Sequence, residues 1–136
     1  MSTEDQSLAP LAAFLPDIDR PDFNFGEWVP AEERAPGVLT MPYYAFSPEA
    51  LALLAAMPVE MGFDWGTWKD TDEGKALVSD LNAVASATPE QLVHLVTTLK
   101  RADRFTDGTI ANAWASGLLR AIVERAAALT GATDGH

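Results

Sequence analysis

The sequence contains no cysteine among its 136 residues. That excludes disulfides, thiolate metal sites and a cysteine nucleophile. Histidine is almost as scarce: His94 and His136 are the two in the chain. Neither sits at metal-ligand spacing with another histidine, so no metal is expected. Long hydrophobic runs are missing too. The most apolar stretch, "EALALLAAMPVEMGF", is broken by Pro58 and Glu60 and is too short to cross a bilayer. The opening residues lack the charged-then-apolar layout of a secretory signal. A cytoplasmic protein with no membrane partner is the expectation. GxGxxG, GxxxxGK[ST] and GxSxG are all absent, which removes the common nucleotide loops and the nucleophile elbow. The spacing of residues assigns no catalytic group and no cofactor.

Positive charge is the next shortage. Nine Lys and Arg stand against 20 Asp and Glu, for a net charge of −11. Residues 1–80 hold 15 acidic and 4 basic side chains, and residues 81–136 hold five of each, so the whole excess lies in the first part. An excess of this sign repels polyanions, which disfavours nucleic acid as a partner. It reads first as a solubilising surface, and second as an acidic face for a basic protein partner or a mimic of DNA. At 48% hydrophobic and 21% charged, the composition is that of a globular chain long enough for one domain. Residues 1–136 are read as that domain, with an ordered core at about 7–130 and polar termini at 1–6 and 131–136.

Along the chain, "SLAPLAAFLPDI" predicts a short helix with Leu8, Leu11, Ala12 and Leu15 on one face and Pro16 as its stop. The next stretch is rich in aromatics and prolines, a mixture that permits short strands but no long ladder. Two strands near 25–29 and 38–45, joined by the acidic loop "PAEERAPG", make an irregular hairpin the best fit. Helices follow. Ser47, Pro48 and Glu49 predict a capped start for the second. "DTDEGKALVSDLNAVASA" reads as a third, with Leu77, Leu81 and Val84 on its inner side. Thr88 and Gln91 predict a capping box for the fourth. A fifth, over 107–130, carries Ile110, Trp114, Leu118 and Ile122 along one stripe and Asn112, Ser116, Arg120 and Glu124 along the opposite one. Gly117 in its middle predicts a close neighbour there. The expected fold is mostly α (α+β): a five-helix single domain with a short aromatic β-hairpin and a C-terminal antiparallel helix pair.

Few residues carry chemistry. His94 lies opposite the apolar face formed by Leu92, Leu95, Val96 and Leu99, so it is expected on the solvated surface. "GFDWGTWKD" places Asp64, Asp70 and Asp72 among tryptophans, a composition shared with carbohydrate-cleaving sites. The plainer reading puts Trp65 and Trp68 in the core, with Asp64 capping a turn or pairing with an arginine. "KRADRFTDG" joins the last two helices in the layout of a helix-turn-helix. Its three cations, Lys100, Arg101 and Arg104, are too few for a phosphate footprint, and Asp107 stands where a cation would be wanted. A packed corner fits better. Phe105 plugs the core, Thr106 or Asp107 caps the last helix, Gly108 permits close approach, and Arg104 pairs with Asp64.

Taken in order, "GEW", "PYYAFS", "GFDWGTW" and "LVTTLKRADRFTDGTIANAWASGLLRAIVERAAAL" resemble the bacterial domain-of-unknown-function family numbered 6508. The resemblance runs from about Leu8 to Leu129. It implies a single domain whose signature positions are Phe63, Asp64 and Trp65, and then Arg101, Asp103, Arg104, Phe105 and Gly108. Members often carry a histidine just before the corner arginine, where this chain has Thr98 and Leu99. That family brings no reaction, cofactor or partner.

The sequence therefore points first to a small non-catalytic protein-interaction domain that docks through its acidic hairpin half. A homodimer stays open. A second possibility is a small-molecule or nucleotide-binding domain, or an enzyme, with its site between the aromatics Trp28, Tyr43 and Tyr44 and the Arg101/Arg104 corner. A third is an acidic inhibitor of the DNA-mimic type.

Overall fold

The computed structural model describes residues 3–103 and 108–130, with side chains from residue 8 onward. The chain is mostly helical, with a small antiparallel sheet. Its elements run α1 (Thr3–Ala12), α2 (Leu15–Ile18), β1 (Gly26–Val29), β2 (Glu33–Ala35), β3 (Val38–Leu39), β4 (Tyr43–Phe46), α3 (Pro48–Ala56), α4 (Trp65–Trp68), α5 (Asp72–Ser79), α6 (Leu81–Ala85), α7 (Pro89–Asp103), α8 (Thr109–Ala115) and α9 (Leu118–Thr130). The helical segments outnumber the expected five because three predicted helices are divided and the short α4 was not predicted.

The first division falls between Ala12 and Leu15, just ahead of Pro16; the proline was read as a stop. Instead of ending the helix, it stands in the first turn of α2, where its missing N–H is no loss. The helix before it begins at Thr3, earlier than read from the sequence. The second is at Asp80, which ends α5 in an extended conformation and caps α6 by accepting from the Asn82 N–H at 2.9 Å. That break turns Leu81 outward, so it does not share the inner side with Leu77 and Val84. The third is at Gly117. Its φ of +89° lies in the left-handed region and interrupts the long C-terminal helix between α8 and α9. The glycine serves a turn there and not the close packing that was expected, since an added Cβ would meet Leu81 at an ordinary 3.6 Å.

Helix α9 is the hub. Leu119, Ile122, Val123, Ala126 and Ala127 are fully buried, and α1, α2, α6, α7 and α8 all pack on it. Leu8 and Leu11 of α1 bring the facing apolar stripe. Arg120, read as part of the polar stripe, binds Asp19 and donates to the Ile18 carbonyl at 2.8 Å, which ties α2 to α9. Arg125 does the same for the α6–α7 link through the Ala87 carbonyl at 2.8 Å.

Local signals hold where they are purely local. The Ser47 hydroxyl accepts from the Ala50 N–H at 3.0 Å and starts α3. Thr88 and Gln91 form a reciprocal capping box on α7, with bonds of 2.9 and 3.1 Å. The hairpin is irregular as expected, but its second strand is split into β3 and β4. Strand β4 pairs with β1 in the register Trp28 opposite Tyr44, and β3 pairs with β2 inside the segment that was read as a loop.

Gly74 is where α5 comes closest to another backbone. An added Cβ would lie 2.2 Å from the Trp68 carbonyl oxygen and 2.9 Å from the Lys69 Cα. Gly74→Ala is expected to destabilise the fold by about 1–3 kcal/mol, the usual cost of forcing atoms into a packed site. Urea denaturation would measure it, and an unchanged midpoint would contradict the close approach.

Candidate functional site

Two regions gather the residues singled out in the sequence. The first is the seat of the hairpin on the α7–α8 corner. Phe25 is buried and stacks on Trp114 of α8, with centroids 4.7 Å apart and planes at 7°. Phe46 meets it edge-on at 5.7 Å, and Phe23 packs on the same indole at 5.3 Å. Alternation along the strands puts Trp28 and Tyr44 on one face, in edge contact at 5.4 Å, and Val29 and Tyr43 on the other. Burial pushes the Tyr44 phenol up from its ordinary value. Tyr43 faces outward and is exposed.

Trp28 reaches the corner itself. Gly108, with φ +94°, holds the N-cap position of α8, and an added Cβ there would sit 3.0 Å from the Trp28 ring. The close approach is thus made by the hairpin, not by a helix. Asp103 closes the corner by accepting from the Ile110 N–H at 3.0 Å. Arg104, Phe105, Thr106 and Asp107 lie outside the described residues, and with them the plug and the Arg104–Asp64 pair. His136 and the tail at 131–136 lie outside as well.

Arg101 points elsewhere. Its Nη2 approaches the Met61 sulfur at 3.6 Å, and with Lys100, Val59 and Met61 it lines a groove of about 350 Å³. Lys100 also donates to the Leu54 carbonyl at 2.8 Å. Among the described residues, that groove is lined by Val59, Met61, Lys100 and Arg101 and by none of Trp28, Tyr43 and Tyr44. A larger concavity of about 410 Å³ between α6 and α9 has Arg120 and Arg125 at its edge, both already bound to Asp19, Ile18 and Ala87.

The second region lies over the middle of α7. Asp64 caps α4, accepting from the Thr67 N–H at 3.2 Å and its hydroxyl at 2.8 Å, and these bonds hold its carboxyl below the ordinary value. Trp68 enters the core, whereas Trp65 is half-buried. Phe63 stacks face to face on His94, with centroids 3.9 Å apart and planes at 7°. The His94 side chain is 12% exposed, and its Nε2 lies 3.4 Å from a Glu60 carboxylate oxygen. The expected surface position is therefore wrong: the loop before α4 covers that side of the helix. Glu73 completes the group, accepting from the Gln91 amide at 2.9 Å and the Trp68 indole N–H at 2.7 Å. Those two bonds, with a smaller contribution from His94, hold the Glu73 carboxyl below its ordinary value.

Glu60 and Glu73 were not singled out from the sequence, and Gln91 was named there only as a helix cap; one signal was available. "QLVHLVTTL", residues 91–99, contains no charged side chain apart from a histidine. A helix without a charged face is covered all round.

The model of a family of unknown function (DUF6508) matches residues 3–132. The chain belongs to that family. No curated protein and no solved structure matches it. Of the positions that the resemblance implied as a signature, Phe63, Asp64, Asp103 and Gly108 make the stacking, capping and corner contacts above. Each joins parts of the fold that are distant in sequence or caps a turn. Among the described residues no group of three or more His, Asp and Glu could hold a metal ion.

The Glu73 bonds give a pH signature. A carboxyl held low in the folded state contributes stability above its unfolded pKa and loses it as pH falls through the folded one. The gap in melting temperature between the wild type and Glu73→Gln is expected to be full near neutrality and to shrink below the ordinary 4.5. Thermal melts at stepped pH check this, and a gap that stays constant into strong acid would contradict it.

Proposed function

We propose that this DUF6508 protein is a non-catalytic interaction domain that docks a basic protein segment on its hairpin. One observation carries the reading: the hairpin holds most of the large apolar side chains left in solvent. Trp28, Val38, Leu39, Met41 and Tyr43 are all exposed, Leu39 at 65% and Met41 at 81%. Glu27, Glu32 and Glu33 are exposed among them, with Arg34 the one cation of the segment. An apolar centre inside an acidic rim suits a partner with an apolar anchor flanked by Lys or Arg. A second copy of the chain is disfavoured, because each copy brings a net charge of −11. The two edges of a two-stranded sheet also leave backbone groups free to pair.

The remaining readings have less support. A nucleotide or small-molecule site would use the Arg101/Arg104 corner beside the aromatics; of that pair Arg101 lies against Met61, and Arg104 lies outside the described residues. A mimic of DNA would share the basic partner but would need no apolar centre. No helix among the described residues is long and apolar enough to cross a membrane, and a cytoplasmic setting fits a partner met in solution.

The test places a photo-crosslinking residue at position 41 and compares it with one at Glu124, which is exposed on α9. A crosslinked basic protein is expected from position 41 only. Its capture should fall at least about tenfold in Leu39→Ser/Met41→Ser, since buried anchors at an interface cost more than 1 kcal/mol each, and it should weaken with salt. Equal capture by the double variant, or crosslinks only between copies of the chain, would overturn the proposal.

A further inference from the structure

We infer that the groove between α6 and α9 seats a second copy of this chain, in a two-fold dimer that leaves both hairpins free. The groove encloses about 410 Å³ and is lined by Leu81, Ala85, Ala121 and Ala128, with Arg120, Glu124 and Arg125 at its edge. Leu81 is turned outward by the fold. Asp80 ends α5 in an extended conformation, with φ −125° and ψ 108°, and α6 starts afresh from it. The break leaves Leu81 43% exposed at one end of the groove, where its Cδ1 lies 3.6 Å from the position of a Cβ on Gly117. A leucine and an apolar hollow, both in water, gain by burial against each other. Each copy carries both parts. An isologous contact pairs residue i with j and j with i, so a two-fold axis beside α9 lets the Leu81 of each copy enter the groove of the other.

Charge selects this occupant. Residues 1–80 carry 15 acidic and 4 basic side chains, whereas residues 81–136 carry five of each. Every residue that lines the groove lies between positions 81 and 128, in the balanced part of the chain. At the edge, Arg120 is bound to Asp19, and Arg125 donates from Nε to the Ala87 carbonyl. Glu124 is exposed and makes no ion pair among the described residues. Glu124 and Arg125 therefore give each copy one anion and one cation, which two copies pair crosswise. The net −11 that sets a second copy against the hairpin acts on this face only at long range. At physiological ionic strength, charges more than about 8 Å apart are largely screened. None of the groove-lining residues belongs to the hairpin, so the dimer presents two hairpins at once. A partner with two basic segments would then bind with the added strength of a bivalent contact.

Sedimentation velocity of the full chain tests this, in about 0.15 M salt and over a series from about 1 μM to 1 mM, the range of weak association. The wild type is expected to pass from monomer to dimer across the series. Leu81→Ser and Ala128→Glu, both at exposed positions that the core does not need, are each expected to raise the dissociation constant at least about tenfold. Leu39→Ser/Met41→Ser on the hairpin is expected to leave it unchanged. A wild type that stays monomeric throughout would overturn the inference. So would a dimer that either groove variant leaves intact, or one that the hairpin variant dissolves. The measurement needs no partner protein, so its failure leaves the hairpin reading standing, and a hairpin that captures no basic protein leaves the dimer standing.

Discussion

Burial of α9 is the constraint on which the rest of the structure depends. Its inner face has no solvent contact, and the elements that cover it come from both ends of the chain. Each fully buried Leu, Ile or Val there contributes about 1.5–3 kcal/mol relative to exposure. No local preference could hold α1, α6 and α7 in one place without that shared surface. The polar contacts are arranged around it: Arg120 and Arg125 rise from the flank of α9 and bind the ends of neighbouring segments. They position the shell, and the apolar contact sets its energy.

Around that hub the chain divides its work by distance. The helices that touch α9 are closely packed. The hairpin stands off from it, attached through Phe25, Phe46 and Trp114. Among the described residues, that attachment leaves the outer strand face and the β2–β3 end with nothing against them. Acidic residues collect there, which keeps an apolar surface from sticking to copies of itself. The proposed docking of a cationic partner rests on these same side chains.

How much of this was legible depended on range. Ser47, and Thr88 with Gln91, announced helix starts, because a cap is a contact over three residues. The stripe through Ile110, Leu118 and Ile122 announced a buried face, because periodicity survives a two-residue interruption. The glycine that interrupts it was visible but misread: left-handed φ and close packing both ask for glycine, and the sequence does not distinguish them. Asp80 was misread for a similar reason, since an aspartate is as natural on a helix surface as between two helices. His94 failed differently. Its wheel position was read correctly, but the surface opposite the core face was taken as solvent. What covers it arrives from residues 58–64, about thirty positions away, and only tertiary structure reports that. For the candidate site, the aromatic hairpin was foreseen, but the meeting of Trp28 with Gly108 was not.

That meeting has a mechanical consequence. Gly108 is at once the first backbone unit of α8 and the surface on which the Trp28 indole rests. A force that lifts the hairpin is therefore delivered to the start of a helix and not absorbed by a slack tether. Asp103, bonded across the same corner to Ile110, stiffens the receiving end. The hairpin is in this sense a short lever with its fulcrum at a glycine. Whatever grips its outer end acts on the joint between α7 and α8.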